Sequence, residues 1–257
     1  MDSNKFMGKK TQRTWKDSKL TWMLILLNVL VFLIVFSAPK PVFDGTFERY
    51  SLSQATATQL WRWVTSMFLH ASASHLFFNM LGLYIFGRLV EEKLRPQWFL
   101  AVYFAGGFLG ALAFLFTSTS PVVGASAGIF SLLGAAMLLN PPEKVNLFVF
   151  PLPLSLVGAM YVISESFAAY YLPGFGNVAY VAHVGGLLTG AVFAFAHDSK
   201  QAFKGVLMLL LMVAIIFILA PILSFATGVG SLILGVIDYV VGIVLYGLAW
   251  LLSFLWY

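Results

Sequence analysis

The feature of this sequence that most constrains its fold is a series of long apolar runs that recurs along almost the whole chain. Several of these runs approach or exceed the roughly 18–20 residues that a helix needs to cross the hydrocarbon layer of a bilayer. Of the 257 residues, 60% are hydrophobic and 10% are charged, whereas soluble domains have roughly 45–50% and 25%. The sequence therefore predicts an all-α, polytopic membrane helix bundle.

Eight membrane spans are predicted, with seven as the alternative, because Gly, Pro, Asn and charged residues separate the apolar runs. The first six form a core, and about two more follow at the C-terminal end. The predicted spans are residues 20–37, 72–90, 98–117, 124–140, 145–170, 177–196, 205–225 and 229–255. Between the first two spans, residues 39–63 mix charged and aromatic side chains, as in an interfacial loop or short amphipathic helices. The predicted organisation is a basic N-terminal segment (1–19), a six-helix core (20–198) and the additional helices (199–257).

The distribution of Lys and Arg predicts the orientation. Twelve basic residues, six before the first span and six in later loops, fall on one side, and three fall on the other, so the N-terminus is expected in the cytoplasm. Basic residues scattered through loops explain the net charge of +5 without a nucleic-acid partner. The first apolar run is longer than a typical signal-peptide core and is interpreted as an anchor, with a cleaved signal peptide as the alternative. Cysteine is absent, which excludes disulfides and thiolate chemistry.

Strongly polar side chains at membrane depth are costly and therefore indicate functional sites. This chain has few of them within or beside its spans: His70, His75, Asn79, Glu91, Ser126 and His183. In the predicted orientation, all of these except His70 and Glu91 fall in the outer half of the bilayer. Four separate positions thus meet in one layer.

Ser126 and His183 are the candidate catalytic pair. Small residues at 124–128, GASAG, let another helix or a substrate backbone come close, and Gly186 and Gly190 give the histidine helix a similar packing face. A serine hydroxyl is a weak nucleophile unless a neighbouring base takes its proton. The alternatives are a serine bonded to its own backbone and a histidine that only packs between helices.

His75 and Asn79 are four residues apart and so project from one helical face. With the backbone N–H of Ser126, they are suited to holding the oxyanion of a tetrahedral intermediate, and interhelical hydrogen bonding is the structural alternative. A metal site is disfavoured, because His70 and His75 are five apart and no carboxylate is near them in sequence. No metal and no organic cofactor are predicted.

Three motifs together resemble the rhomboid family of intramembrane serine proteases. They are HASASHLFFN at residues 70–79, GASAG at 124–128 and AHVGG at 182–186. Trp61 and Arg62 before the second span and Glu91, twelve residues after Asn79, extend the resemblance to about residues 40–200.

The resemblance implies a catalytic dyad of Ser126 and His183 without an acidic third member, and an oxyanion hole from His75, Asn79 and a backbone amide. It implies that the loop with Trp61 and Arg62 lies partly in the membrane interface and that Glu91 fastens loop and helix ends. Substrates would be single-span membrane proteins that enter past the fifth span as a lateral gate. The implied supporting residues are Trp61, Arg62, His70, Glu91, Gly124, Gly128, Phe130, Gly186 and Gly190.

Pro151 and Pro153 are expected to loosen the gating helix or to mark its start. Two departures from the family pattern concern the serine helix. Ala127 stands where many relatives carry glycine, which keeps a small residue at that position. Phe130 stands where some relatives have a tyrosine under the histidine, so ring stacking is kept and the hydroxyl is lost.

Two rivals to a protease come from other functional classes. A catalytically silent relative would bind membrane-protein clients without cutting them. A transporter or channel would show charge pairs deep in the bundle or an inverted repeat, and the sequence offers neither clearly. The expected location is the plasma membrane of a prokaryote.

Overall fold

The computed structural model of the chain describes residues 18–147, 150–160, 163, 180–219, 236 and 239. Within these residues, five helices are long and apolar enough to cross a membrane, and one further apolar helix is shorter. The chain divides into two compact units, Met1–Leu210 and Leu211–Tyr257. The protein is therefore a multi-pass helical membrane protein, and the predicted fold class is confirmed.

The described helices are α1 (Lys19–Phe36), α2 (Lys40–Tyr50), α3 (Trp61–Thr65), α4 (Ala73–Lys93), α5 (Pro96–Leu115), α6 (Ser126–Leu139), α7 (Tyr180–His197) and α8 (Ser199–Leu219). Short 3₁₀ turns cover Gln54–Thr56 and Ser66–Phe68, and α4 contains a π-helical stretch at Leu83–Gly87. A two-stranded antiparallel hairpin joins β1 (Lys144–Leu147) and β2 (Phe150–Pro153), and residues 154–160 are helical.

The start of the predicted fifth span is wrong. Residues 145–153 were expected to be helical, but they lie in the hairpin, and the helix begins at residue 154. Pro151 and Pro153 therefore do not loosen a membrane helix, since both lie in β2, opposite Asn146 and Lys144. Proline has no N–H to donate to a helix, and an edge strand tolerates it. The proposed gating part of this span and most of the span at 229–255 lie outside the described residues.

The other predicted spans agree with α1, α4, α5, α6 and α7 to within a few residues. The span predicted at 205–225 corresponds to α8, whose start differs, and its last predicted residues, 220–225, lie outside the described part of the chain. That helix begins at Ser199 rather than at residue 205. The carboxylate of Asp198 accepts the backbone N–H of Gln201 at 3.0 Å. Aspartate is a strong N-cap residue, and its capping starts the helix within the charged stretch that the apolar pattern had excluded.

Helix α6 lies at the centre of the bundle, where all residues from 127 to 139 are buried. It contacts α5 and α7 through small residues. A Cβ at Gly106 of α5 would overlap the side chain of Ser131, and a Cβ at Gly134 of α6 would overlap the carbonyl of Leu187 in α7. The three helices thus touch backbone to backbone, as membrane helices with small interfacial residues do.

Two buried charged residues fasten the helices around this centre. Glu91, 4% exposed, accepts the backbone N–H groups of Leu20 and Thr21 at 2.9 and 2.8 Å and the Thr21 hydroxyl at 2.7 Å. A carboxylate at this place satisfies the free N–H groups of α1 and complements its dipole.

Arg62 has the corresponding role at the C-terminal end of α2. Its guanidinium donates to the carbonyls of Glu48 and Ser51 at 2.7 and 2.9 Å and to the side chain of Gln59 at 2.6 Å. Arg62 therefore caps the C-terminus of α2, where a cation is favourable, and joins α2 to α3.

Candidate active site

Ser126 and His183 are in direct contact. The Oγ of Ser126 lies 2.8 Å from the Nε2 of His183, a hydrogen-bond distance. Ser126 is the first residue of α6, and His183 lies in the first turn of α7. Phe130, one helical turn after the serine, stacks on the imidazole with ring centroids 4.2 Å apart and the planes 6° apart. The imidazole is therefore oriented from two directions, by the hydroxyl and by the aromatic face.

Close helix packing makes this contact possible. A Cβ at Gly186 would overlap the carbonyl of Ala127, and a Cβ at Gly190 would overlap the carbonyl of Ser131. On the same helix as the serine, a Cβ at Gly128 would lie 2.8 Å from the carbonyl oxygen of Tyr103. Larger residues at these positions would push the helices apart, and the hydroxyl and the imidazole would separate with them.

The start of α6 supplies hydrogen-bond donors beside Ser126. The first N–H groups of a helix have no partners within it, and they carry a partial positive charge. Helix α6 has 14 residues and so is about 21 Å long, shorter than the roughly 30 Å hydrocarbon layer. A helix of this length can begin below the membrane surface, so Ser126 at its first position can lie within the bilayer.

Because Gly124 has no side chain, α4 can lie close to the start of α6. The φ of +114° at Gly124 is unfavourable for residues with a side chain, and a Cβ there would lie 2.7 Å from the Nε2 of His75. Its N–H donates to the carbonyl of Ser66 at 2.9 Å. The loop before Ser126 is thus tied to the chain before α4, with the His75 imidazole against it.

His75 and Asn79 lie on one face of α4, as their spacing predicts. Ser72 caps this helix by accepting the N–H of His75 at 3.1 Å. The amide of Asn79 donates one hydrogen to the carbonyl of His75 at 2.8 Å. An amide nitrogen carries two hydrogens, so the second can be donated to a ligand.

One cavity of about 790 Å³, here called the Ser126 cavity, brings together four of the predicted polar residues. They are Ser126, His183, His75 and Asn79. The other walls are largely apolar and aromatic: Phe47, Phe78, Phe86, Phe114, Val122, Val123, Ile129, Phe130 and Leu133. An apolar cavity with a few convergent polar groups is the usual form of a binding site.

His70 lies behind His75, outside the cavity lining. It is 2% exposed, and its ring centroid is 4.9 Å from that of His75. Burial, followed by the proximity of His75, lowers the pKa of His70 from 6.5 to about 4. The ring is therefore neutral at pH 7.

The remaining predicted residues lie away from the Ser126–His183 pair. Trp61 is 55% exposed at the start of α3, while Arg62 and Glu91 hold α2 and α1 as described above. In the described part of the chain, no group of three or more His, Asp or Glu side chains could bind a metal ion.

One wall of the cavity was not indicated by any sequence pattern. Phe47, Glu48 and Ser51 from the end of α2 line it, together with Pro121 and the two valines before Gly124. Backbone hydrogen bonds between Leu52 and Val122, at 2.7 and 3.3 Å, hold these two segments together. The pairing joins residues that are 70 positions apart, which no local motif indicates.

Comparison with known proteins agrees with the resemblance of the motifs. The family model described as Rhomboid domain matches residues 57–200. The chain is 28% identical over 190 residues to Rhomboid protease GluP of Bacillus subtilis (strain 168), covering 71% of this chain and 35% of that protein. It is 35% identical over 136 residues to RHOMBOID-like protein 6, mitochondrial, of Arabidopsis thaliana, covering 52% and 43%.

A third relative carries a different description. The chain is 33% identical over 118 residues to Inactive RHOMBOID-like protein 8 of Arabidopsis thaliana, covering 46% of this chain and 32% of that protein. The chain thus spans less than half the length of each of these three relatives.

Proposed function

The chain belongs to the rhomboid family, and from this premise we propose that it is an intramembrane serine endopeptidase with Ser126 as nucleophile and His183 as base. The observation that carries the proposal is the 2.8 Å contact between the Ser126 hydroxyl and the His183 Nε2 inside a largely apolar cavity. A nucleophile and a base within hydrogen-bond reach are the minimum that covalent acyl transfer needs.

The geometry supports the following sequence of steps. As the Ser126 Oγ attacks a substrate carbonyl carbon, its proton passes to the His183 Nε2. The negative charge that forms on the carbonyl oxygen is stabilised by the N-terminal N–H groups of α6, the His75 imidazole and the free amide hydrogen of Asn79. His183 then returns its proton to the leaving amine, and water hydrolyses the acyl-enzyme with the histidine again as base.

The proposed substrates are transmembrane segments of single-span membrane proteins. The mainly apolar lining of the Ser126 cavity suits such a segment. A helical substrate must unwind locally, because its carbonyls are otherwise hydrogen-bonded and shielded. We place the site in the outer half of a prokaryotic plasma membrane, with the N-terminus in the cytoplasm, on the basis of the Lys and Arg distribution.

A fluorophosphonate probe tests the role of Ser126 directly. The purified protein in detergent should become labelled at Ser126 and should cleave a single-span peptide, and Ser126→Ala should lose both. Ser74→Ala is the matched control, because Ser74 also lines the cavity but its hydroxyl pairs with Ser72 at 3.0 Å. Labelling and cleavage that persist in Ser126→Ala would refute the proposal.

The second candidate function is a silent client-binding protein, favoured by the relative described as inactive. It predicts that single-span peptides bind without being cut. The contact of Ser126 with His183 favours the protease. Quantifying peptide fragments after incubation with the reconstituted protein separates the two functions, because only the protease produces fragments that depend on Ser126.

A further inference from the structure

Glu48 is the only Asp, Glu, Lys or Arg among the described residues that line the Ser126 cavity. It lies in the last turn of α2, and its side chain is exposed. The same wall contributes Phe47 and Ser51. A single full negative charge therefore lies at the α2 end of a cavity that is otherwise largely apolar.

The Glu48 carboxylate has no ion-pair or hydrogen-bond partner within the described part of the chain, and its charged neighbours on α2 are engaged elsewhere. Lys40 pairs with Asp44 at 3.0 Å. The Arg49 guanidinium lies over the ring of Tyr50, 5.8 Å from its centroid. The Glu48 carboxylate therefore pairs with none of the described cations and is available to a ligand, while the Arg62 guanidinium is held by the backbone carbonyls of Glu48 and Ser51.

The backbone that carries Glu48 is held firmly. Arg62 binds the carbonyls of Glu48 and Ser51 at 2.7 and 2.9 Å, and the hydroxyl of Thr65 donates to the carbonyl of Tyr50 at 3.0 Å. These bonds fix the end of α2 relative to α3. Only the Glu48 side-chain torsions must be ordered when a ligand binds, which lowers the entropic cost of binding.

We propose that Glu48 selects substrates whose apolar segment is flanked by a Lys or Arg that reaches the α2 end of the Ser126 cavity. This inference rests on the proposed function in assigning the cavity to a substrate segment. An unpaired carboxylate beside apolar walls attracts a cation and repels an acidic side chain. Exposed ion pairs reach about 1 kcal/mol, which corresponds to a preference of about fivefold.

Peptide binding to the Ser126→Ala protein tests the selectivity without requiring cleavage. The probes are single-span peptides with one common apolar segment and with Lys, Gln or Glu at one flanking position, which is moved outward one residue at a time. At the favoured position, we expect the Kd of the Glu peptide to exceed that of the Lys peptide about fivefold. Adding Glu48→Gln should bring this ratio near one, and Glu48→Lys should invert it.

Asp44→Asn is the matched control, because it removes one negative charge, as Glu48→Gln does, one helical turn away at a residue that does not line the cavity. It should leave the ratio unchanged. The inference is overturned if the ratio is insensitive to Glu48→Gln at every position, or if Asp44→Asn changes it equally. Charge-selective binding without Ser126-dependent cleavage would retain the inference and refute the protease, and cleavage without charge selectivity would do the opposite.

Discussion

Replacing Gly186 by alanine tests whether backbone contact between α6 and α7 sets the Ser126–His183 hydrogen bond. A Cβ at this position would lie 3.0 Å from the carbonyl carbon of Ala127 and 3.2 Å from its Cα, where ordinary van der Waals contact begins at 3.4 Å. The carbonyl oxygen of Ala127 is closer still. Because these are backbone atoms, no side chain can rotate away, and the two helices must separate by roughly 1 Å.

The separation acts almost directly on the Ser126–His183 contact, since Gly186 is three residues after His183. The distance from Ser126 Oγ to His183 Nε2, now 2.8 Å, would approach roughly 3.8 Å, beyond the reach of about 3.2 Å for general-base catalysis. A misplacement of roughly 1 Å costs about 10²-fold in rate. The same overpacking costs about 1–3 kcal/mol in stability.

The assay compares the rate of fluorophosphonate labelling with the thermal unfolding temperature in the same detergent. Gly45→Ala is the control, because a Cβ at this α2 position has nothing within 4 Å, and it should label at the wild-type rate. Gly186→Ala should label about 10²-fold more slowly while still unfolding cooperatively. A folded Gly186→Ala protein that labels at the wild-type rate would show that this backbone contact does not set the site geometry.

Three further predictions address single side chains. Phe130→Ala should slow labelling of Ser126 by about tenfold, because it removes a stacking contact worth about 0.5–1.5 kcal/mol, and Phe130→Tyr should restore the rate. Glu91→Ala should lower the free energy of unfolding by about 2–3 kcal/mol through the lost cap of α1, and Glu91→Gln should lower it less; equal losses would argue against hydrogen bonding as the cause. Below pH 6.5 the unfolded chain takes up a proton at His70 that the folded protein, with a His70 pKa of about 4, does not. The unfolding temperature should therefore fall from pH 6.5 towards pH 4, and more steeply in the wild type than in His70→Gln; parallel profiles would contradict this account.

The residues of the Ser126–His183 pair were predictable because their signals are local. A serine among small residues and a histidine before two glycines each identify a close-packed helix, and spacing alone places His75 and Asn79 on one helical face. Membrane helices pack closely where they carry small residues, so these local patterns predict contact between positions that are distant in the sequence. The stacking of Phe130 on His183 follows from the same register, since it lies one turn after Ser126.

The hairpin at residues 144–153 was not predictable from hydrophobicity, because a short apolar run fits a strand and a helix equally well. Pro151 and Pro153 were the available signal against a helix interior. They were expected either to loosen the helix or to mark its start, and the chain places them in an edge strand directly before the helix, which begins at residue 154. Proline has no backbone N–H and disrupts a helix interior, and this constraint outweighed the apolar pattern here.

The α2 wall of the cavity was missed for a different reason. Its position depends on Arg62 reaching the carbonyls of Glu48 and Ser51 and on the pairing of Leu52 with Val122. Both are contacts with backbone atoms, which every residue type except proline presents alike. A sequence pattern cannot show which carbonyls an arginine will bind.

The contacts that hold the end of α2 are made to backbone atoms, so they do not depend on the side chain proposed to recognise a substrate. Arg62 binds the carbonyl of residue 48 whatever side chain that residue carries, and in this protein the Glu48 carboxylate has no partner in the described fold. A substitution at position 48 should therefore change which flanking residues a substrate can carry, while the Ser126–His183 contact is maintained by the glycine packing of α6 and α7. In the proposed function, selectivity and catalysis depend on different elements, so exchanging the Glu48 side chain should alter peptide preference without altering the rate of fluorophosphonate labelling at Ser126. A proportional loss of labelling in such variants would show that the two functions are coupled through α2.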